Sequence, residues 1–160
     1  MSTQKAETQK STEELEKIEA DLDPELRFRP LLPTAGWIVA ALLFALSAFH
    51  YYTAGFGLLP ETTHRGVHLA FVLGLVFLVF SFRKSGNAEE PTAGVLRPLG
   101  IPILDWIFCV ASAAAALYVP WIFDDLQFRV GNPLTIDWVM GSIMIVLLLE
   151  ATRRSVGPPL

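Results

Sequence analysis

The chain reads as an all-α membrane protein with four transmembrane helices, and three observations lead there. Of its 160 residues, 52% are hydrophobic and only 18% charged, with a mean hydropathy of +0.46, a balance too apolar for a water-soluble domain of this size. The apolar residues gather into four runs separated by polar or Gly/Pro-rich stretches. Aromatic and cationic residues flank those runs, as they do where a bilayer meets water. Only helices, or barrels closed on themselves, keep every backbone polar group bonded in lipid.

Residues 1–34 form a polar tail. Glu7, Glu13, Glu14, Glu16, Glu19, Asp21, Asp23 and Glu25 supply eight of the sixteen acids, and much of the net charge of −4. That balance excludes the basic footprint of a nucleic-acid binder. Ser11 and Glu14 have capping-box spacing, and Leu15, Ile18 and Leu22 recur at helical intervals, so a short amphipathic surface helix is expected to end before Pro24. It would rest on headgroups or meet a partner. The opening MSTQKAETQK has no basic stretch leading straight into an apolar run, so no cleavable signal peptide is expected.

Residues 35–160 carry the four-helix domain. The first span runs from about Ala35 to Ala54 or Leu59, marked by Trp37 at one end and Tyr51 with Tyr52 at the other. After the short loop PETTHR, a second span covers about Gly66 to Phe82 and is stopped by Arg83 and Lys84. The stretch SGNAEEPTAGVLRPLG is a linker without periodicity. The third span, about Ile101 to Phe123, has Pro102 where a helix start tolerates it and Asp105 where the helix dipole favours an anion, and Pro120 should loosen its last turn. A polar turn, DDLQFRVGNPLTID, leads to the fourth span, about Leu134 to Ala151. This span is the weakest, because its uninterrupted apolar core, Trp138 to Leu149, covers only about 18 Å at about 1.5 Å per residue.

The anchors agree with this register. Trp37 and Tyr52, Trp106 and Trp121, and Trp138 and Arg153 are each separated by roughly 22 Å of helix, the spacing of belts at two interfaces. Four spans put Lys5, Lys10, Lys17, Arg27, Arg29, Arg83, Lys84, Arg97, Arg153 and Arg154 on one side and only Arg65 and Arg129 on the other, which predicts both termini in the cytoplasm.

Ionisable residues inside spans are functional candidates by default. Asp105 and Glu150 both fall near the cytoplasmic boundary, where burial is expected to be shallow; Asp105 reads as a first-turn carboxylate rather than an ion ligand. Glu150 faces Arg153 and Arg154 at i+3 and i+4, either as an interfacial ion-pair knot or as a docking point for another subunit. His50, His64 and His68 raise a haem or metal question. If the first helix reaches Leu59, His50 lies about 13 Å below its end and His68 only about 3 Å below the start of the second, so two axial ligands would not share a depth; an end at Gly55 or Gly57 would narrow that gap. No CxxC, HExxH, GxSxG or Walker-type spacing occurs, so no enzyme, cofactor or metal site is expected. Cys109, the only cysteine, sits in an apolar run as an inert thiol. Ala111 to Ala116, Gly74 and Gly141-Ser142 offer smooth helix surfaces, for a partner or for this chain's own helices.

Four segments also resemble a family. HRGVHLAF at His64 to Phe71, LDW at Leu104 to Trp106, ALYVPWIFDDLQFRVGNP at Ala116 to Pro133 and LLLEATRRSVGPPL at Leu147 to Leu160 together resemble the small-subunit region of tripartite ATP-independent periplasmic (TRAP) transporter permeases. The TAXI type is the most similar; in it a four-helix portion is commonly fused ahead of a twelve-helix transport portion. The resemblance covers about residues 27 to 160. It implies a sodium-coupled secondary transporter that receives an organic acid from a periplasmic binding protein, in the cytoplasmic (inner) membrane of a bacterium or archaeon. The small portion would be a non-catalytic scaffold for the large subunit, which would hold the substrate and sodium sites. The implied partners are that large subunit, the periplasmic binding protein and membrane lipids. Asp105, Trp106, Gly131, Asn132, Pro133, Glu150, Arg153 and Arg154 match the family's words and are expected to be structural or docking residues. The chain stops at GPPL, where a fused partner's next segment would begin, as a free subunit or a truncated fusion would. The competing readings are a haem- or quinone-linked redox subunit using His50 and His68, and a stand-alone anchor whose acidic tail recruits a soluble protein.

Overall fold

Prolines set three of the helix starts. Pro33 occupies the first turn of α1 (Pro33–Gly55), while Pro60 and Pro102 immediately precede α2 (Glu61–Val79) and α3 (Ile103–Trp121). There the missing N–H costs nothing and the fixed φ favours the helix. A short α4 (Phe123–Phe128) and a long α5 (Thr135–Ser155) complete the order. This computed structural model describes residues 28–57, 59–82 and 96–156; the surface helix expected near residues 11–22 and the stop at Arg83 and Lys84 lie outside them. The four long helices are about 28 to 35 Å in length, against about 30 Å of hydrocarbon. All four are apolar enough to cross a membrane, and the protein is a multi-pass, all-α membrane protein.

Several boundaries differ from expectation, each for a local reason. The first helix ends at Gly55, the earlier of its expected limits. The second starts at Glu61 rather than Gly66, because Pro60 and the first-turn Glu61 draw most of the expected PETTHR loop into the helix. It stops at Val79 rather than Phe82, because Phe80 turns extended and pairs with Phe28. The third is shorter by two residues at each end than the 101–123 expected, and the polar turn after it contains α4. Pro120 lies inside the last turn of α3 without ending it, since the Ile122 N–H still reaches the Tyr118 carbonyl at 3.1 Å. The fourth helix runs on to Ser155, past the expected Ala151, carrying Arg153 and Arg154 in its last turn where the dipole favours cations.

The helix α2 is the centre of the bundle. Leu75 and Leu78 pack toward Ala35 and Val39 of α1, and Leu73 and Phe77 pack toward Leu147 and Ala151 of α5. Its partner α3 fits against it through small residues. Ser112, Ala115 and Ala116 are buried, and Gly74 brings α2 close to the Cys109 sulfur of α3. The smooth Ala111 to Ala116 surface therefore serves this chain's own packing, as close backbone approach in lipid requires. The closest approach is at Gly66. A side chain there would collide with Pro120 Cγ and stand 2.9 Å from the Ala116 carbonyl, which Pro120 leaves without its usual helical donor. Outward, Trp37, Phe44, Val110, Trp121, Trp138 and Leu149 are largely exposed, as a lipid-facing surface should be.

Gly66→Ala should overpack this crossing and cost about 1–3 kcal/mol, whereas Gly36→Ala, with open space around it in α1, should gain up to about 1 kcal/mol. Thermal unfolding midpoints in mild detergent check both signs.

Candidate functional site

One end of the bundle gathers the starts of α1 and α3 with the finishes of α2 and α5. Asp105, in the first turn of α3, is 2% exposed there. Its Oδ1 accepts a bond from Arg154 Nη1 at 2.8 Å, and its Oδ2 accepts one from Arg29 Nη2. Burial at Asp105 is thus deep, not shallow as its position near the helix start suggested, because two arginines compensate the carboxylate on both oxygens. Arg154, 3% exposed, also donates from Nε to Glu150 Oε1 at 2.8 Å. Arg153 grips the same Glu150 through two bonds of 2.7 Å. The five side chains form one chain of contacts, Arg29–Asp105–Arg154–Glu150–Arg153, with three positive and two negative formal charges.

Aromatic rings close the network from the side. The Arg154 guanidinium lies 5.0 Å from the Phe77 ring centroid and 5.5 Å from Phe108, and Arg153 lies 4.6 Å from Phe82. A delocalised cation on a ring face needs less water, which makes arginine the suitable residue for this position. The chain entering α1 is held by the same end: the Arg29 N–H bonds the Val79 carbonyl at 2.8 Å, and the rings of Phe28 and Phe80 are 5.0 Å apart. Trp106 contributes a long bond from Nε1 to the Pro98 carbonyl, at 3.4 Å.

The opposite, hairpin end has its own polar group. Asp137 in the first turn of α5 accepts bonds from the Tyr118 hydroxyl, from two Arg129 nitrogens and, at 2.7 Å, from the Leu134 N–H. Its carboxylate thereby caps α5, since Leu134 offers no side-chain acceptor. Partial burial alone would lower the Arg129 pKa, but its bonds to the Asp137 carboxylate outweigh that and raise it above the ordinary arginine value. Gly131 bends the turn at φ +87°, a conformation suited to glycine, and the Asn132 N–H bonds the Arg129 carbonyl at 3.0 Å ahead of Pro133.

The histidines share a depth, because α1 ends at Gly55, the earlier of its expected limits, and not at Leu59. His68 Nδ1 and His50 Nε2 are 3.0 Å apart, and the His64 ring stacks on His50 at 5.3 Å. The two imidazoles are hydrogen-bonded to each other, one donating and one accepting, and this pair ties α1 to α2. A cavity of about 550 Å³, lined in part by Thr53, Glu61 and Arg65, adjoins them. Among the described residues, no three His, Cys, Asp or Glu side chains are arranged to hold a metal ion.

The sequence-predicted residues therefore divide between the ends: Asp105, Trp106, Glu150, Arg153 and Arg154 lie at one, and Gly131, Asn132 and Pro133 lie at the other. Sequence reasoning missed Arg29, whose signal was a cation placed just before the Pro30 and Pro33 that open α1. It also missed the Tyr118–Asp137–Arg129 group, signalled by an acid three residues after Leu134 at a helix start. Fold and site together define a small four-span membrane protein with charge clusters at both ends of the bundle. Compared with known proteins, the chain matches no protein family, no curated protein and no solved structure.

Asp105→Asn should leave Arg29 buried without its counter-charge and Arg154 with Glu150 alone, and destabilise the protein by about 3–5 kcal/mol. Glu61→Gln, which breaks the exposed pair with Arg65, should change stability by less than about 1 kcal/mol. Both values come from unfolding in detergent at neutral pH. The double change His50→Ala and His68→Ala removes the α1–α2 bond and should cost about 1 kcal/mol. It should leave the visible absorbance of the purified protein unchanged.

Proposed function

We propose that this protein is a non-catalytic small membrane subunit that scaffolds a larger transport subunit of the TRAP type, TAXI class, in a sodium-coupled, binding-protein-dependent uptake system for organic acids. The observation that carries the reading is the fate of the charges within its helices. Each carboxylate in the paired clusters, Asp105, Asp137 and Glu150, is bonded to arginine; the Asp105 pairs tie α3 to α5 and to the segment before α1, the Asp137 pair ties α5 to the turn before it, and Glu150 orients Arg153 and Arg154 within α5. Charges engaged in this way brace a bundle rather than conduct a solute. Asp105, Glu150, Arg153 and Arg154, which carry the resemblance in sequence, fall in one network, and the resemblance supplies the identity of the partner.

The wide apolar faces of α1 and α5 support the reading further, because both helices bury only a narrow stripe within this chain. In the proposed assembly both termini face the cytoplasm of a bacterium or archaeon and the two hairpin connections face the periplasm, near the docked binding protein. A haem- or quinone-linked redox subunit is less well supported, since His50 and His68 engage each other. The anchor reading depends on the acidic tail alone.

Affinity purification in mild detergent should recover a much larger polytopic protein in fixed proportion, and sodium-driven uptake of an organic acid into vesicles should need both chains. Solute flux with this chain alone, or full transport by the larger protein without it, would overturn the proposal. Removal of residues 1–26 should leave the large partner bound; an anchor would lose its soluble partner instead.

A further inference from the structure

Between α2, α3 and α5, at the hairpin end, lies a groove of about 640 Å³ that none of the described side chains fills. Its walls change character with depth. The rim carries Thr62, Arg65 and the bonded Tyr118–Asp137 pair, and below it the lining is apolar, through Leu69, Ala115, Met140, Met144 and Ile145. From Asp137 to Ile145 the slot descends about 12 Å along α5, close to the roughly 15 Å of one hydrocarbon leaflet. Its α5 wall is opened by Gly141, around which no atom lies within contact distance of a would-be side chain.

We infer that this groove binds a phospholipid of the surrounding bilayer, with one acyl chain in the apolar slot and its phosphate on Arg65 and Thr62. Polarity and charge both favour that occupant. Arg65 is three-quarters exposed, and its ion pair is with an equally exposed Glu61, a weak tie that leaves most of its five N–H donors for a phosphate. The Thr62 hydroxyl is one turn away on the same helix. A phospholipid brings an anion to the level of the interface and an apolar chain to the level below, which is the order of the groove's lining. A partner helix would have to supply an acid at that one depth. The site differs from the brace proposed above and does not depend on it.

The test uses the full-length protein, extracted from nanodiscs of mixed phosphatidylethanolamine and phosphatidylglycerol and examined by native mass spectrometry. Wild type should retain one phospholipid. Gly141→Leu, whose Cβ enters open space on the slot wall, should reduce retention roughly tenfold, as loss of about 1.4 kcal/mol of contact does, with helical content retained and the unfolding midpoint not lowered. Arg65→Gln should weaken retention in the same direction, and Gly36→Leu, in open space on α1, should leave it at the wild-type level. A photoreactive phenylalanine at position 145 should label lipid. Undiminished retention in Gly141→Leu, or labelling of a polypeptide from position 145, would overturn the inference and assign the groove to ordinary bulk lipid or to a partner helix.

Discussion

Arg154 reaches from the last turn of α5 to the first turn of α3 and meets Asp105 where neither group touches solvent. Removing two charges from water costs several kcal/mol each, so such a pair persists only when geometry is good and the remaining donors and acceptors are used. Here they are used. Asp105 also receives Arg29, Arg154 also donates to Glu150, and the guanidinium lies among the rings of Phe77, Phe82 and Phe108. One contact thereby fixes the segment before α1, the end of α2, the start of α3 and the end of α5 at a common level.

The rest of the bundle follows from that tie. Apolar burial gives no drive for helices to associate inside lipid, so close packing and polar bonds must hold them. Along α2 and α3 the packing comes from Gly66 beneath Pro120 and Gly74 beneath Cys109. At the hairpin end, polar bonds recur as the Tyr118–Asp137–Arg129 group and the His50–His68 pair. Between these ends the described interior is apolar apart from Ser112, whose hydroxyl bonds the Cys109 carbonyl within α3. Charge is concentrated where helices need fastening.

The spans were legible because a long apolar run bounded by Trp, Tyr, Arg and Pro has few other meanings, and all four tryptophans do fall in terminal turns or at helix ends. The pairing of Glu150 with Arg153 and Arg154 was legible too, because i+3 and i+4 spacing determines it locally. What stayed hidden were contacts between residues far apart in sequence. Nothing near Asp105 announces Arg29, 76 positions away, or Arg154, 49 positions away. The depth of His50 stayed open for a smaller reason: it depends on where α1 stops, and a Gly-containing segment after an apolar run allows several stops, of which the helix takes Gly55.

The central claim is that the charges within these helices fasten them to one another, and it is tested most directly by a double-mutant cycle on Asp105→Asn and Arg154→Met, read from unfolding free energies in detergent. The account expects the two losses to be strongly non-additive, with a coupling of about 2 kcal/mol or more, near the upper part of the range for residues in one network. Losses that add to within about 0.5 kcal/mol would show two independent sites and contradict it.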